Sequence, residues 1–126
     1  MADIVIFEAV SGQIDVRVEK DSVWLSLPQL AELFGRDKSV ISRHIRNVFA
    51  EAELERDASV ANFATVQEEG GRSVQRHQEH YNLDVIISVG YRVKSREGIR
   101  FRQWASRLLK DYLTRGYALD LAGDAA

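Results

Sequence analysis

"LPQLAELFGRDKSVISRHI", Leu27 to Ile45, has too regular an apolar spacing for a loop and too clear a break for one helix. Leu30, Leu33 and Phe34 recur at helical spacing before Gly35, and Ile41 and Ile45 do so after it. Glycine closes helices and aspartate opens them, so Gly35 followed by Asp37 divides the run. The pattern predicts two short helices joined by a tight turn. Ser26 and Gln29 have capping-box spacing at the start of the first helix. Pro28 falls in its first turn, where a missing N–H costs little. On the second helix Ile41, Ile45, Val48 and Phe49 face inward, while Lys38, Ser39, Ser42, Arg43 and Arg46 face outward.

A helix-turn-helix needs a small residue where the helices cross, a glycine in the turn and branched apolar residues under the second helix. Ala31, Gly35 and Ile41 meet those needs in order, and "VISRHI" resembles the recognition helix of many bacterial repressors. Arg36 and His44 stand where apolar residues are usual, and both are expected to turn polar tips outward. The plain alternative is a helical hairpin buried in a core. Against it, the outward face from Lys38 to Arg46 holds three cations, two serines and no acid. On the DNA reading, the N-terminal half of the second helix enters the major groove and Arg43 forks onto a guanine edge. Ser39 and Ser42 then touch bases or phosphates, and Arg36, Lys38 and Arg46 hold the DNA backbone.

Working outward, "DIVIFEA", "QIDVRVE" and "SVWLS" read as an N-terminal antiparallel meander, with turn signals at Ser11-Gly12 and Lys20-Asp21. Downstream of the helix pair, Glu51, Glu53 and Glu55 read as a solvated face. Two β-rich segments flanking Gly70-Gly71 predict a hairpin over about residues 60–80, its tip carrying Glu68, Glu69 and Arg72. That hairpin is either a wing beside the second helix or a piece completing the sheet or a dimer contact. Asn82 caps a buried helix, "LDVIISVGYRV", interrupted late by Gly90. Ser95 caps a long amphipathic helix over about residues 96–115. It buries Phe101, Trp104, Ala105, Leu108, Leu109 and Tyr112, with Arg100, Gln103, Arg107, Lys110 and Thr114 along the opposite side. Gln29, Arg72, Arg100, Arg107 and Lys110 are the further candidates for phosphate contact.

The 126 residues are enough for one domain, placed at 1–119 with a frayed tail at 120–126. No apolar run approaches the roughly 20 residues of a membrane span. The acid at Asp3 and the lack of a basic n-region argue against a secretory signal, and the absence of cysteine fits a reducing cytoplasm. Net charge is −2, yet Arg36 to Arg46 holds four cations against one acid and Arg92 to Arg115 eight against two. So polarised a chain can meet a polyanion on one side. His77 and His80 have the only metal-like spacing, but on a strand residues three apart face opposite ways. With no phosphate loop, nucleophile elbow or paired carboxylates, no enzyme activity, cofactor or metal site is expected.

The segments "WLSLPQLAELFGRDKSVISRHIRNVF", "ANFATVQEEGGRSVQRHQEHYNLDVIISVGYRV" and "GIRFRQWASRLLKDYLTRGYAL" resemble the N-terminal region of the RhuM virulence-protein family. Members look like DNA-binding proteins distantly similar to phage KilA and BRO-type regulators of mobile elements and genomic islands. Family chains are generally longer, which implies a truncated member or an isolated N-terminal module. The resemblance implies a helix-turn-helix and no enzyme activity for this segment. The expectation is an α+β, winged-helix-like helix-turn-helix domain that binds double-stranded DNA sequence-specifically, regulates transcription and works as a homodimer on a two-fold site. The alternative is a protein-interaction or antitoxin-like adaptor that presents Phe101, Trp104 and Tyr112 on an exposed face.

Overall fold

Alternating apolar residues build the first half of the sheet. The computed structural model describes residues 3–115. It begins with strands β1 (Asp3–Ala9), β2 (Gly12–Glu19) and β3 (Ser22–Ser26). Ile14, Val16 and Val18 are buried on one face of β2, while Asp15, Arg17 and Glu19 point to the other. Lys20 and Asp21 both have positive φ, 53° and 59°, the geometry that lets a two-residue turn follow the strand twist. The first turn falls one residue earlier than its sequence signal. Ala9 pairs with Gly12, so Val10 and Ser11 make the loop and Gly12 opens β2.

β3 runs directly into the helix pair, α1 (Leu27–Phe34) and α2 (Lys38–Ala50). Gly35 sits between them at φ 62°, and the N–H groups of Gly35 and Arg36 return to the carbonyls of Glu32 and Ala31. The Ser26 N–H donates to Gln29 Oε1 at 2.9 Å, as the capping spacing predicts. Asp37 occupies the N-cap of α2, but its side chain makes no capping bond there.

The stretch between α2 and the hairpin is not a simple acidic tail. It closes into a short helix, α3 (Arg56–Ser59), that feeds β4 (Val60–Glu69). β4 pairs with β5 (Arg72–Asn82) from Val60↔Tyr81 to Glu69↔Arg72 around Gly70 and Gly71. β5 also pairs with β3, but only over Trp24↔Asn82, Leu25↔Tyr81 and Ser26↔His80. The five-stranded antiparallel sheet thus has the order β1-β2-β3-β5-β4, and most of the hairpin projects past β3 as a two-stranded ribbon. The architecture is α+β. The predicted tail at 120–126 lies outside the described residues.

Helices α4 (Leu83–Arg92) and α5 (Arg96–Arg115) complete the core. Asn82 and Ser95 cap them as predicted, accepting from the N–H groups of Val85 and Glu97. Phe7, Val16, Leu25, Leu30, Phe34, Ile41, Val89 and Phe101 belong to one buried cluster that joins sheet and helices. Gly90 does not interrupt α4, contrary to expectation. It is where α4 meets α5: a Cβ on Gly90 would stand 3.2 Å from the Phe34 ring and 3.3 Å from Gly98 Cα.

That crowding sets an expected outcome. Gly90→Val has to push the Phe34 ring or the α5 backbone aside, at about 1–3 kcal/mol of overpacking. Gly35→Ala meets open space and carries only the left-handed backbone cost of about 1–2 kcal/mol. Chemical denaturation of both variants measures the difference. Wild-type stability in Gly90→Val means that the α4–α5 crossing is looser than described.

Candidate nucleic-acid interface

Helix α2 holds its polar face outward because Ile41, Ile45 and Val48 are buried against α1 and α4. Lys38, Ser39, Arg43 and Arg46 are exposed and Ser42 is half-buried, so all five predicted outward residues share one side of the helix. Arg46 Nη1 donates to Ser42 Oγ at 3.0 Å. Lys38 and Arg43 meet no polar partner among the described residues. The surface presents donors in a row on a firmly seated helix, with the carboxylate of Asp37 at its leading end.

The remaining candidates divide sharply. Arg36 donates to the carbonyls of Phe34, Gly35 and Val93, the last at 3.2 Å. Its guanidinium clamps the turn to the C-terminal end of α4 instead of standing free for a phosphate. Gln29 is also occupied: its Nε2 donates to the Asp15 carbonyl at 2.7 Å while its Oε1 caps α1. Arg100 pairs with Glu97, donates to the Glu8 carbonyl at 2.9 Å and lies over the Phe7 ring. By contrast, Arg72, Arg107 and Lys110 are exposed and have no polar partner among the described residues.

Surface ion pairs occupy several of the charged residues. Glu51, Glu53 and Glu55 are exposed as expected, and the carboxylates of Glu51 and Glu53 also take Arg92 Nη2, at 3.0 and 2.8 Å. Hydrogen bonds from Ser88 and then Arg92 draw the Glu53 carboxyl below its ordinary range. Arg92 therefore ties the end of α2 to α4 and adds nothing to a basic surface. On the hairpin, Arg76 is paired with Glu69 and Ser73 donates to Glu68, which leaves Arg72 as the open cation of the tip. Sequence reading missed Lys94, Arg96 and Arg102, which line a cleft at the α4–α5 corner beside Ile87, Tyr91 and Ile99. The cue was thin: Ser95 marks a helix start, but nothing local shows that the corner gathers charge.

The aromatic residues of the adaptor alternative are largely consumed inside. Phe101 is buried, Trp104 packs on Phe7 with ring centroids 5.1 Å apart, and the Tyr112 hydroxyl donates to Asp3. The exposed large apolar residues are others, among them Ile4, Ile6, Tyr91, Ile99 and Leu113.

Among the described residues no group of three His, Asp or Glu side chains converges as a metal ion requires. No described helix is long and apolar enough to cross a membrane.

The family described as Virulence protein RhuM family matches residues 58–123, which takes in β4, β5, α4 and α5. The chain belongs to the RhuM family. The α1–α2 pair precedes the matched residues. No curated protein and no solved structure matches the chain.

Within the matched part of this RhuM-family chain, His80 is buried on the sheet face opposite the main core. Its ring meets Phe63 edge-on at 5.2 Å, and its Nδ1 lies 3.0 Å from the Gln78 carbonyl. His77 is exposed on the same strand and faces the other way. Burial pushes the His80 imidazole below its ordinary range, with the Gln78 carbonyl opposing and the nearby Arg17 charge assisting. His44 on α2 shifts the same way, by partial burial and then the charges of Arg43 and Arg92.

Both folded-state values lie below the 6.5 of an unfolded histidine. The unfolded chain therefore binds protons first, and the stability these sites contribute at neutral pH is lost as pH falls below that value. Thermal melts between about pH 7.5 and 5.5 are expected to decline in midpoint, with a shallower decline in His80→Phe. Equal slopes in both proteins remove His80 from the account.

Proposed function

We propose that α1 and α2 are the two arms of a helix-turn-helix and that this chain binds double-stranded DNA sequence-specifically as a transcriptional regulator. The observation that carries the reading is the outward face of α2, where Lys38, Ser39, Ser42, Arg43 and Arg46 stand together while Ile41, Ile45 and Val48 fix the helix from below. Direct readout needs donors on a rigid element that fits the major groove, and this helix supplies both. Arg43 is its forked base reader, Ser39 and Ser42 are shorter base or phosphate contacts, and Lys38 and Arg46 hold phosphates. The hairpin completes the sheet through β3–β5, and the ribbon that projects past β3 is the part that would serve as a wing in this proposal. Arg72 at the hairpin tip is the residue such a wing would offer to the DNA. A distant likeness to KilA and BRO-type regulators, which the sequence resemblance implies, is part of this proposal.

The adaptor reading loses its main support, since Phe101, Trp104 and Tyr112 pack internally.

Selection of bound sequences from a random duplex pool supplies the site on which to test the roles. Arg43→Ala is then expected to cost about 1–3 kcal/mol on the selected site and much less on random DNA. Arg107→Ala or Lys110→Ala, if either side chain touches phosphate, weakens both DNAs alike and flattens the salt dependence by about one unit of slope. Equal losses for Arg43→Ala on both DNAs mean that α2 is not the reading element. No retardation of any duplex at low salt ends the DNA reading.

A second expected outcome concerns Asp37, whose side chain makes no capping bond and stands at the leading end of α2. Asn is an equally good N-cap, so Asp37→Asn keeps the helix and removes a carboxylate from the approach of a phosphate. Binding to random duplex at low salt is expected to tighten, while a loss of affinity confined to the selected site assigns the carboxylate a direct base contact.

A further inference from the structure

β1 closes one side of the sheet, with β2 as its sole strand neighbour among the described residues. Natural sheets blunt such edges with lysine, proline or a bulge. "DIVIFEA" holds neither residue, and its pairing with β2 runs without a bulge from Asp3↔Val18 to Ala9↔Gly12.

Helix α5 reaches both ends of β1, but at Asp3 the Tyr112 hydroxyl meets the side chain, and the contacts to backbone groups lie at the other end. Arg100 donates to the Glu8 carbonyl at 2.9 Å, and the Val10 N–H donates to Glu97 Oε2 at 3.2 Å. In an antiparallel strand the N–H and C=O of one residue point the same way, and the direction alternates along the chain. If the Glu8 carbonyl faces outward, so do the N–H and C=O groups of Ile4 and Ile6, while those of Val5 and Phe7 face β2. Ile4 and Ile6 also present side chains that are 54% and 49% exposed, on the sheet face away from Phe7. Open backbone and open aliphatic surface coincide at the same two residues.

We propose that this uncapped half of β1 pairs with β1 of a second copy of the chain, antiparallel about a two-fold axis at Val5. That register sets Ile4 opposite Ile6 of the second copy and Ile6 opposite its Ile4, so the open groups exchange about four hydrogen bonds. The isoleucines then meet across the strands on one face, and Val5 meets Val5 on the other. The pairing stops short of Glu8, whose carbonyl is already taken by Arg100, and places Asp3 opposite Phe7, so no acid faces an acid. A segment complementary to itself in this way is what a two-fold interface demands, and it favours a second copy over an unrelated strand. The inference stands independently of DNA binding, although it supplies the two-fold axis that a dimeric regulator uses.

The test combines sedimentation equilibrium with amide hydrogen exchange on the full chain at micromolar concentration. Wild type is expected to sediment as a dimer, with the Ile4 and Ile6 amides protected alongside those of Val5 and Phe7. The variant Ile4→Lys/Ile6→Lys alters only exposed side chains, so it is expected to fold, to sediment as a monomer, and to exchange Ile4-position and Ile6-position amides rapidly. The Val5 and Phe7 amides stay protected in the variant and report that β1 remains in the sheet. Wild type that stays monomeric overturns the proposal, as does a dimer that survives both lysines or one whose Ile4 and Ile6 amides exchange fast. If those two amides gain protection only on addition of a different protein, the edge belongs to that partner and the proposal also fails.

Discussion

The ring of Phe34, seated where α4 crosses α5, is the contact from which the helical layer takes its geometry. Gly90 and Gly98 let the two helices approach until a single added Cβ would meet the opposing backbone at 3.3 Å, and the Phe34 ring fills the remaining space. Phe34 is the last residue of α1, so the ring fixes where that helix ends. Gly35 then turns the chain through left-handed backbone geometry, and Arg36 fastens the turn to the carbonyl that ends α4. At the far end of α2, Arg92 closes on Glu51 and Glu53. The outward face of α2 is held at both ends before any ligand arrives. Half-exposed ion pairs contribute only about 0–1 kcal/mol each, whereas burying a Leu, Ile or Phe contributes about 1.5–3. Packing holds the layer together, and Arg36 and Arg92 set its orientation.

The sheet is used on both faces, and this governs the hairpin. One face carries Phe7, Val16, Leu25 and Tyr81 into the helical core. The other carries Trp24, Phe63 and His80, with the Trp24 and Phe63 rings 5.5 Å apart and Arg17 stacked 4.5 Å above Phe63. Arg17 also donates to the Ala64 carbonyl, and the buried Trp24 N–H reaches the Glu19 carbonyl. The root of the hairpin is therefore pinned to β2 and β3, while the segment from Thr65 to Arg76 has only its own cross-strand partners for backbone pairing. Tyr81 belongs to the same root: burial, and then the nearby Glu79 carboxylate, push its phenol up to about 12, so it remains a neutral donor to Glu79. The hairpin is thus anchored at its root, and Arg72 stands at its far end.

Local signals were legible in the sequence, and distant ones were not. Helical spacing around Gly35, the caps at Ser26, Asn82 and Ser95, and the Gly70-Gly71 turn each rest on contacts within a few residues, so each was readable. Periodicity says which side of an element turns inward, but not which neighbour approaches it. Gly90 therefore looked like a helix break, when its role depends on Gly98 and Phe34. Arg36, Gln29 and Arg100 looked available because their acceptors, the carbonyls of Val93, Asp15 and Glu8, lie far along the chain and carry no side-chain signature. The α2 face was legible because it is defined by what the helix leaves uncovered. Its chemical use is not written in spacing at all.

The same distinction bears on how charge would act on DNA. Formal counting credits the two basic runs with every arginine, but Arg36, Arg92 and Arg100 spend their donors on internal carbonyls and carboxylates. Cations already neutralised in the free protein release few counterions on binding, so they add little to a salt slope of about 0.9 per phosphate contact. If α2 is the reading element, Lys38 and Arg46 are its phosphate contacts and Arg43 is committed to a base, so each copy contributes a slope near 2. Pairing two copies doubles that contribution. A slope well beyond the doubled value then has to come from Arg72, Arg107, Lys110 or the Lys94–Arg96–Arg102 corner. The salt dependence of the wild-type protein thereby measures how far contact extends past α2, without a single substitution.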